Sequence, residues 1–137
     1  MLHHAAILVA EDQPFIALDL AFAVEDAGGA VIGPAASVNE ALALLEAHPV
    51  VAAILDVNLV DGDVSPVVEY LVERGVPLIL HTGIDLPPDL AARFPDVVVC
   101  IKPTLASVLV ARLVTLIAER PVVAAAHRSP VDAAPAE

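Results

Sequence analysis

The sequence predicts a doubly wound α/β domain, in which helices cover both faces of a five-stranded parallel sheet. Short apolar runs alternate with segments of helical spacing along the chain. Most of these runs end in polar residues, which is typical of strands that are buried on both faces of a parallel sheet. Because strand and helix alternate, right-handed crossovers distribute the helices over both faces of the sheet.

Five apolar runs predict the strands, at residues 5–10, 30–33, 50–55, 76–80 and 97–101. Long helices are predicted over residues 14–27, 38–47, 65–74 and 104–119. In the first helix the apolar residues that recur at helical spacing are Phe15, Leu18 and Phe22. Ser37 and Glu40 form a capping box at the start of the second. The fourth crossover is expected to be degenerate, because Pro87 and Pro88 leave room for only a short helix over residues 89–94.

The composition limits the functions that the chain can have. A chain of 137 residues suits one domain, and a net charge of −12 disfavours nucleic-acid and membrane partners. No apolar run resembles a signal peptide or a membrane span. Cys100 is the single cysteine, which excludes an internal disulfide and fits a reducing, cytoplasmic location. We expect a domain over residues 1–120, followed by a disordered tail over 121–137 with no output domain.

Polar side chains follow four of the five predicted strands: Glu11 and Asp12 the first, Asp56 the third, Thr82 the fourth and Lys102 the fifth. The carboxyl ends of parallel strands share one edge, where doubly wound sheets bind ligands. Three carboxylates at one edge repel each other, and an oxygen-ligated Mg²⁺ relieves that repulsion. An ammonium and a hydroxyl beside the metal suit a transferring phosphoryl group, which makes Asp56 the candidate nucleophile.

These residues, in this order and on these elements, resemble the receiver domain of two-component response regulators over about residues 5–119. The motif comprises Glu11-Asp12, Asp56, Thr82 and Lys102-Pro103. The resemblance implies a flavodoxin-like, CheY-like sheet of strand order 2-1-3-4-5 and phosphorylation of Asp56 by a histidine kinase. It also implies that Mg²⁺ is held by Asp12, Asp56 and the backbone carbonyl of Asn58, with Glu11 contributing through a water.

Three segments are further similar to the FATGUY group of single-domain receivers, which occur beside HWE-type histidine kinases: residues 11–20, residues 54–59 and the pair Thr82-Gly83. Three aromatic residues of the family patterns are missing. The signature of the FATGUY group places Phe and Ala directly before Thr-Gly, where this chain has Leu80-His81. The position soon after Thr-Gly holds Ile84-Asp85, and Val99 stands where receivers place a Tyr or Phe three residues before the lysine. Without that ring, the signal is expected to pass by backbone shifts around residues 83–89.

We therefore expect a stand-alone, Mg²⁺-dependent phosphoacceptor that acts as a relay, a phosphate sink or a switch for a partner protein. It would turn over no external substrate and would not be an enzyme. Two alternatives stay open, a pseudo-receiver that binds partners without phosphorylation and a small Mg²⁺-dependent phosphohydrolase with an aspartyl nucleophile. His81 is expected to be structural and to lie outside the site.

The last predicted helix carries two apolar stripes, and Arg112 is its only charge between residues 105 and 118. The stripe expected to face the sheet comprises Leu105, Leu109, Leu113 and Leu116. The second stripe comprises Ala106, Val110, Val114 and Ile117. A helix that is apolar on two sides needs a second cover, so we expect a homodimer through this helix.

Overall fold

The computed structural model describes residues 2–83 and 85–119. Its strands, in chain order, are β1 (Ala6–Ala10), β2 (Ala30–Ala35), β3 (Ala52–Asp56), β4 (Asn58–Leu59), β5 (Gly62–Asp63), β6 (Leu78–Thr82) and β7 (Val98–Ile101). Five of them form one parallel sheet in the order β2-β1-β3-β6-β7. The predicted strand order is confirmed, since β6 and β7 are the fourth and fifth strands of the prediction. The predicted tail at 121–137 lies outside the described residues.

The described residues contain five helices, of which four connect strands and the last follows β7: α1 (Pro14–Asp26), α2 (Val38–Ala47), α3 (Ser65–Glu73), α4 (Pro88–Arg93) and α5 (Ala106–Ala118). Helices α1 and α5 pack on one face of the sheet, whereas α2, α3 and α4 pack on the other. The fourth crossover is short, as Pro87 and Pro88 predict. Within the described residues, no helix has the length and apolar character needed to cross a membrane.

The hydrophobic core lies on both faces of the sheet, and the central strands β3 and β6 contribute side chains to both sides of it. Every residue of β3 and β6 is buried. Alternate side chains enter opposite clusters: Ile54 and Ile79 pack under α1 and α5, whereas Leu55 and Leu80 pack under α2, α3 and α4. A strand that is buried on both faces needs a continuous apolar sequence. This is why the uninterrupted runs in the sequence predict the sheet.

Helix α1 lies where the sequence predicts it, but its core face is a different one. The buried residues are Ala17, Leu20 and Val24, which are spaced at i, i+3 and i+7. The spacing that predicts the helix belongs instead to an exposed stripe of Phe15, Leu18 and Phe22, which we call the α1 stripe. Phe15 is 85% exposed. The inner face is therefore aliphatic, and both aromatic side chains of α1 lie on the outside of the helix.

The segment between β3 and α3 contains a small antiparallel hairpin of β4 and β5. Asp61 lies between the two strands and accepts hydrogen bonds from the backbone N–H groups of Val38 (2.6 Å) and Asn39 (3.1 Å). These groups belong to the first turn of α2 and have no partner within the helix. The hairpin is thereby tied to a helix that lies more than twenty residues earlier in the sequence.

The capping box at α2 forms as predicted. The Ser37 hydroxyl accepts from the Glu40 N–H at 3.0 Å. The Glu40 carboxylate reaches back to the Ala36 N–H at 2.9 Å. Together with Asp61, these contacts satisfy the first three N–H groups of α2.

The second apolar stripe of α5 is covered within the chain. Val110 is 3% exposed, and Ala106, Val114 and Ile117 are partly buried against the cluster that contains Leu20 and Val24 of α1. The helix therefore packs one side on the sheet and the other beside α1. The two-stripe pattern that motivates a homodimer has an explanation inside one copy. Leu105 of the first stripe is exposed, because it precedes the first turn of α5.

Candidate functional site

The five side chains that the sequence places at strand ends lie at one edge of the sheet. Glu11 and Asp12 directly follow β1, Asp56 and Thr82 are the last residues of β3 and β6, and Lys102 directly follows β7. A cleft of about 340 Å³ opens there, lined by Asp12, Gln13, Asp56, Asn58, Thr82, Gly83 and Lys102. Glu11 lies behind this cleft with 2% of its surface exposed.

Lys102 joins the two buried carboxylates of the site. Its Nζ lies 3.2 Å from Asp56 Oδ2 and 3.2 Å from Glu11 Oε1. Burial alone favours the neutral amine, but hydrogen bonds and charge from Asp56 and Glu11 outweigh it and raise the pKa of Lys102. The ammonium is held at the junction of β1, β3 and β7, where it neutralises part of the carboxylate charge.

Glu11 is the most perturbed acid of the site. Burial, together with a hydrogen bond and charge from Asp56, raises the pKa of Glu11 to about 7. The Gln13 N–H, which donates to Glu11 Oε2 at 3.1 Å, and the Lys102 ammonium act in the opposite direction. The Lys102 ammonium therefore offsets only part of the effects that raise the pKa of Glu11.

Glu11, Asp12 and Asp56 fit a divalent metal ion. Each offers one carboxylate oxygen, and these oxygens lie within 4.8 Å of one another. A donor set made of oxygens alone suits Mg²⁺, which keeps several of its waters. A cation at this place would favour the ionised form of Glu11, whose pKa burial and the neighbouring Asp56 raise.

Thr82 and Asn58 complete the lining of the cleft. Thr82 is 1% exposed, and its carbonyl accepts from the Lys102 N–H at 2.7 Å, which fixes the start of the lysine segment to β6. The Asn58 N–H donates to Asp56 Oδ1 at 3.3 Å. Asn58 is exposed, so its backbone carbonyl, the metal ligand that the resemblance implies, is on an accessible segment.

His81 lies beside the site, and the sequence gives no sign of its unusual state. The side chain is 3% exposed, and within the described residues neither ring nitrogen has a hydrogen-bond partner. Burial and the Lys102 charge lower the pKa of His81, whereas Asp56 opposes them. A single histidine in an apolar strand is usually structural. The position of His81 beside Asp56 and Lys102 becomes visible only once the strands are paired in the sheet.

Val99 occupies the position at which receivers carry a ring. It lies on β7 and is partly buried against the cluster under α2, α3 and α4. Gly83, at the start of the segment expected to move instead, is exposed, and a Cβ added there would meet no atom within 4 Å. Ile84 lies outside the described residues.

Comparisons with known proteins give matches among solved structures only. No family model matches the chain, and no curated protein matches it. SdrG from Sphingomonas melonis Fr1 is 34% identical, with a TM-score of 0.68 over 86% of this chain and 99% of that one. The response regulator PhyR from Brucella abortus is 27% identical, with a TM-score of 0.69 over 90% of this chain. The chain belongs to the response regulator receiver domains.

The similarity covers the receiver and not the whole of the larger relatives. This receiver domain spans 52% of the length of the Brucella PhyR chain. A CheY-like receiver domain from Methanospirillum hungatei JF-1 has a TM-score of 0.75 at 22% identity, which shows the same fold. The predicted receiver resemblance and the CheY-like architecture are confirmed.

The geometry of the receiver domain suits phosphoryl chemistry. The Asp56 carboxylate is largely buried but lines the cleft together with Asp12 and Thr82, and Lys102 Nζ lies 3.2 Å from its Oδ2. A carboxylate can act as a nucleophile, and a neighbouring ammonium and hydroxyl stabilise charge on the oxygens of a transferred group. The residues predicted from the strand ends are thus the residues that the fold brings together.

Proposed function

We propose that this receiver domain accepts a phosphoryl group on Asp56 in a Mg²⁺-dependent reaction. The observation that carries the proposal is the placement of Lys102 Nζ, 3.2 Å from both Asp56 Oδ2 and Glu11 Oε1, at the edge of an open cleft. A purely structural ion pair would not need a cleft in front of it. A perturbed acid beside a nucleophile candidate is typical of a functional site.

The transfer is a displacement at phosphorus. A carboxylate oxygen of Asp56 forms the new O–P bond while the P–N bond to the donor imidazole breaks, and the electron pair of that bond goes to the departing nitrogen. Lys102 and Thr82 contact the phosphoryl oxygens. Asp12, Asp56 and the Asn58 carbonyl would hold Mg²⁺, with Glu11 contributing through a water. When bound, the ion neutralises the charge of the phosphoryl oxygens.

The proposed donor is a phosphohistidine on a sensor histidine kinase. Two exposed apolar surfaces begin beside the cleft and suit a protein donor: the α1 stripe, and a β7–α5 corner of Ile101, Leu105 and Val108. Exposed apolar groups next to a reaction site typically mark a protein contact. On the sequence similarities given above, we also propose that this chain belongs to the FATGUY group and that its donor kinase is of the HWE type.

We further propose that the protein works as a stand-alone regulator in the cytoplasm, as a relay, a phosphate sink or a switch for a partner protein. The match to SdrG supports a regulator of this size, since the chain covers 99% of that structure. The free thiol of Cys100 fits a reducing compartment. In this role Asp56 is itself the acceptor, so the chain turns over no external phosphate ester and is not an enzyme.

Labelling with acetyl phosphate and Mg²⁺ tests the phosphoacceptor role. We expect the native chain to gain one phosphoryl group and Asp56→Asn to gain none, measured by intact-mass spectrometry. Asp63→Asn is a matched control, because Asp63 lies on β5, outside the cleft lining, and accepts a hydrogen bond from the Ser65 N–H at 2.8 Å. A pseudo-receiver would give no labelled native protein, and a phosphohydrolase would release phosphate from a monoester at a sustained rate.

A second experiment tests the protein donor. Phe15→Ala and Leu18→Ala should slow phosphoryl transfer from a phosphorylated HWE-type kinase by roughly tenfold, because exposed apolar anchors dominate docking. Labelling by acetyl phosphate should stay within twofold of the native rate, because the small donor needs no docking surface. Val72→Ala, an exposed apolar position on α3, serves as the control. Equal losses with both donors would argue against a docking role for the α1 stripe.

A further inference from the structure

His81 occupies a buried place beside the reaction site without a role in the chemistry described so far. Within the part of the chain that the structure describes, both ring nitrogens lack a hydrogen-bond partner, and the side chain is 3% exposed. Buried polar groups are nearly always paired, and an unpaired one costs free energy of folding. An aliphatic residue would fill the same position in the strand without that cost.

The strand register places His81 in one row with the two buried acids of the site. Asp56 pairs with His81, and His81 pairs with Cys100 on the next strand. Val9 pairs with Ile54, so Glu11 continues the row on the other side of Asp56. Because paired residues in parallel strands share a face, all four side chains lie on the face that α1 and α5 cover. Ile79 lies two residues before His81 on the same face of β6, and it packs in the apolar cluster under α1 and α5.

The Lys102 side chain must cross this row. Its backbone follows β7, and its N–H donates to the Thr82 carbonyl at 2.7 Å. Its Nζ lies 3.2 Å from Asp56 Oδ2 on β3. Strand β6 lies between β7 and β3 in the sheet, so the methylene chain of Lys102 passes over the end of β6. Lys102 is two residues beyond Cys100, and the last β6 side chain on that face is His81.

We propose that His81 is a positioning residue for Lys102, whose imidazole ring supports the lysine side chain and keeps the ammonium between Asp56, Glu11 and an incoming phosphoryl group. A neutral imidazole suits this position, because it is broad enough to support a methylene chain and does not repel an ammonium. The lowered pKa of His81 is consistent with the neutral form. The ring lies in the sheet row and not in the cleft lining, so it acts through Lys102 and does not touch the phosphoryl group.

Lys102 is the only lysine in the sequence, which provides a direct spectroscopic test. In protein labelled biosynthetically with ¹⁵N-lysine, every side-chain ammonium signal belongs to Lys102. In the native chain we expect slow exchange of these protons with water, because Nζ is held in two ion pairs. In His81→Ala the exchange should be roughly tenfold faster or more. His81→Leu, which restores most of the volume, should bring the rate back to within about threefold of the native value.

Ile79→Val is the matched control, because it removes core volume one row further from the site on the same strand face. Its ammonium exchange should equal that of the native chain even though its melting temperature falls. If His81→Ala does not fold, His81→Val replaces it, since a β-branched residue suits the strand. Unchanged exchange in the folded His81 variant, or an equal change in Ile79→Val, overturns the positioning role.

Phosphorylation rates give the second readout, and this part of the inference rests on the proposed function. His81→Ala should slow labelling by acetyl phosphate by roughly ten- to a hundredfold, because a displaced ammonium stabilises the transferred group poorly. In a Lys102→Ala background the same change should have no further effect, which a double-mutant cycle measures. An equal loss in both backgrounds would show a general structural effect and contradict the inference. If no form of the protein is labelled, the proposed function fails, whereas the ammonium exchange still decides the positioning role.

Discussion

Glu11 is a buried acid whose ionisation a bound cation would favour. Its buried carboxylate lies within metal-binding distance of two other acids, and its pKa is raised to about 7. An unfolded chain would ionise the same group near pH 4.5. The folded protein therefore holds a proton between these two values that the unfolded chain does not hold.

A dependence of Mg²⁺ binding on pH follows. The cation binds the ionised acids, so protonation of Glu11 competes with it, and we expect affinity to rise by roughly tenfold between pH 6 and pH 8. Isothermal titration calorimetry at several pH values measures this change. Glu11→Gln should remove most of the dependence, whereas Glu46→Gln, at an exposed position on α2, should not. The same slope in native protein and Glu11→Gln would contradict the assignment to Glu11.

The same pKa shift predicts how the metal-free protein responds to pH. Because the folded pKa of Glu11 lies above the unfolded value, its contribution to stability is fully present below about pH 4.5 and is lost as the pH rises through about 7. Added Mg²⁺ should consequently raise the melting temperature more at pH 8 than at pH 6. Thermal unfolding with and without the ion, at constant ionic strength, shows the difference.

At the scale of elements, the hairpin of β4 and β5 joins β3, the strand that ends in Asp56, to α2. Asn58 contacts Asp56 at one end of the hairpin, and Asp61 caps α2 at the other. The Val38 N–H contributes most to a lowered pKa of Asp61, which fits a carboxylate at a helix N-terminus. A movement of the backbone after Asp56 would therefore change the hydrogen bonds of Asp61 at the start of α2.

Removal of this cap should loosen the first turn of α2. In Asp61→Ala we expect the amide protons of Val38 and Asn39 to exchange roughly tenfold faster, because they lose their acceptor. The Glu40 amide should change less, because Ser37 accepts its hydrogen bond. Asp19→Ala, at an exposed position on α1, is the control. Unchanged exchange at Val38 would mean that water replaces the carboxylate without loss.

The elements also show what the sequence can and cannot predict. The ends of the strands can be predicted from the sequence, because buried parallel strands are continuous apolar runs followed by polar residues. The positions of Asp56, Thr82 and Lys102 are predicted in this way. The hydrogen bonds of Asp61 to the first turn of α2 cannot be predicted from the sequence, because they join segments that are distant in the chain. The sequence also does not predict which face of α1 is exposed, because apolar residues recur at helical spacing on both faces. Only the packing against the sheet selects Leu20 over Phe15 for the core.

At the scale of the whole molecule, the homodimer remains a prediction, but the surface available for it differs from the predicted stripe. The second stripe of α5 is covered by the protein itself, so a second copy would meet the exposed side, which includes Val108, Ala111 and Thr115. The net charge of −12 makes two copies repel each other, and salt screens that repulsion. Any dimer should therefore strengthen as the salt concentration rises.

Sedimentation velocity at micromolar concentration tests this prediction. We expect the dimer fraction of the native protein to increase between low and moderate salt, and Val108→Glu to abolish it. Val72→Glu, on α3, should leave it unchanged. A single monomeric species under all conditions, with and without a phosphoryl analogue, would exclude the homodimer.

The two ion pairs of Lys102 have a practical consequence for chemical modification. Since the sequence contains no other lysine, acylating reagents that target side-chain amines have one destination in this protein, the cleft at the carboxyl ends of the strands. Acylation requires the amine to leave both carboxylates and lose its proton. The speed at which such a reagent inactivates the protein thus reports how often the site opens, without any phosphoryl donor being present.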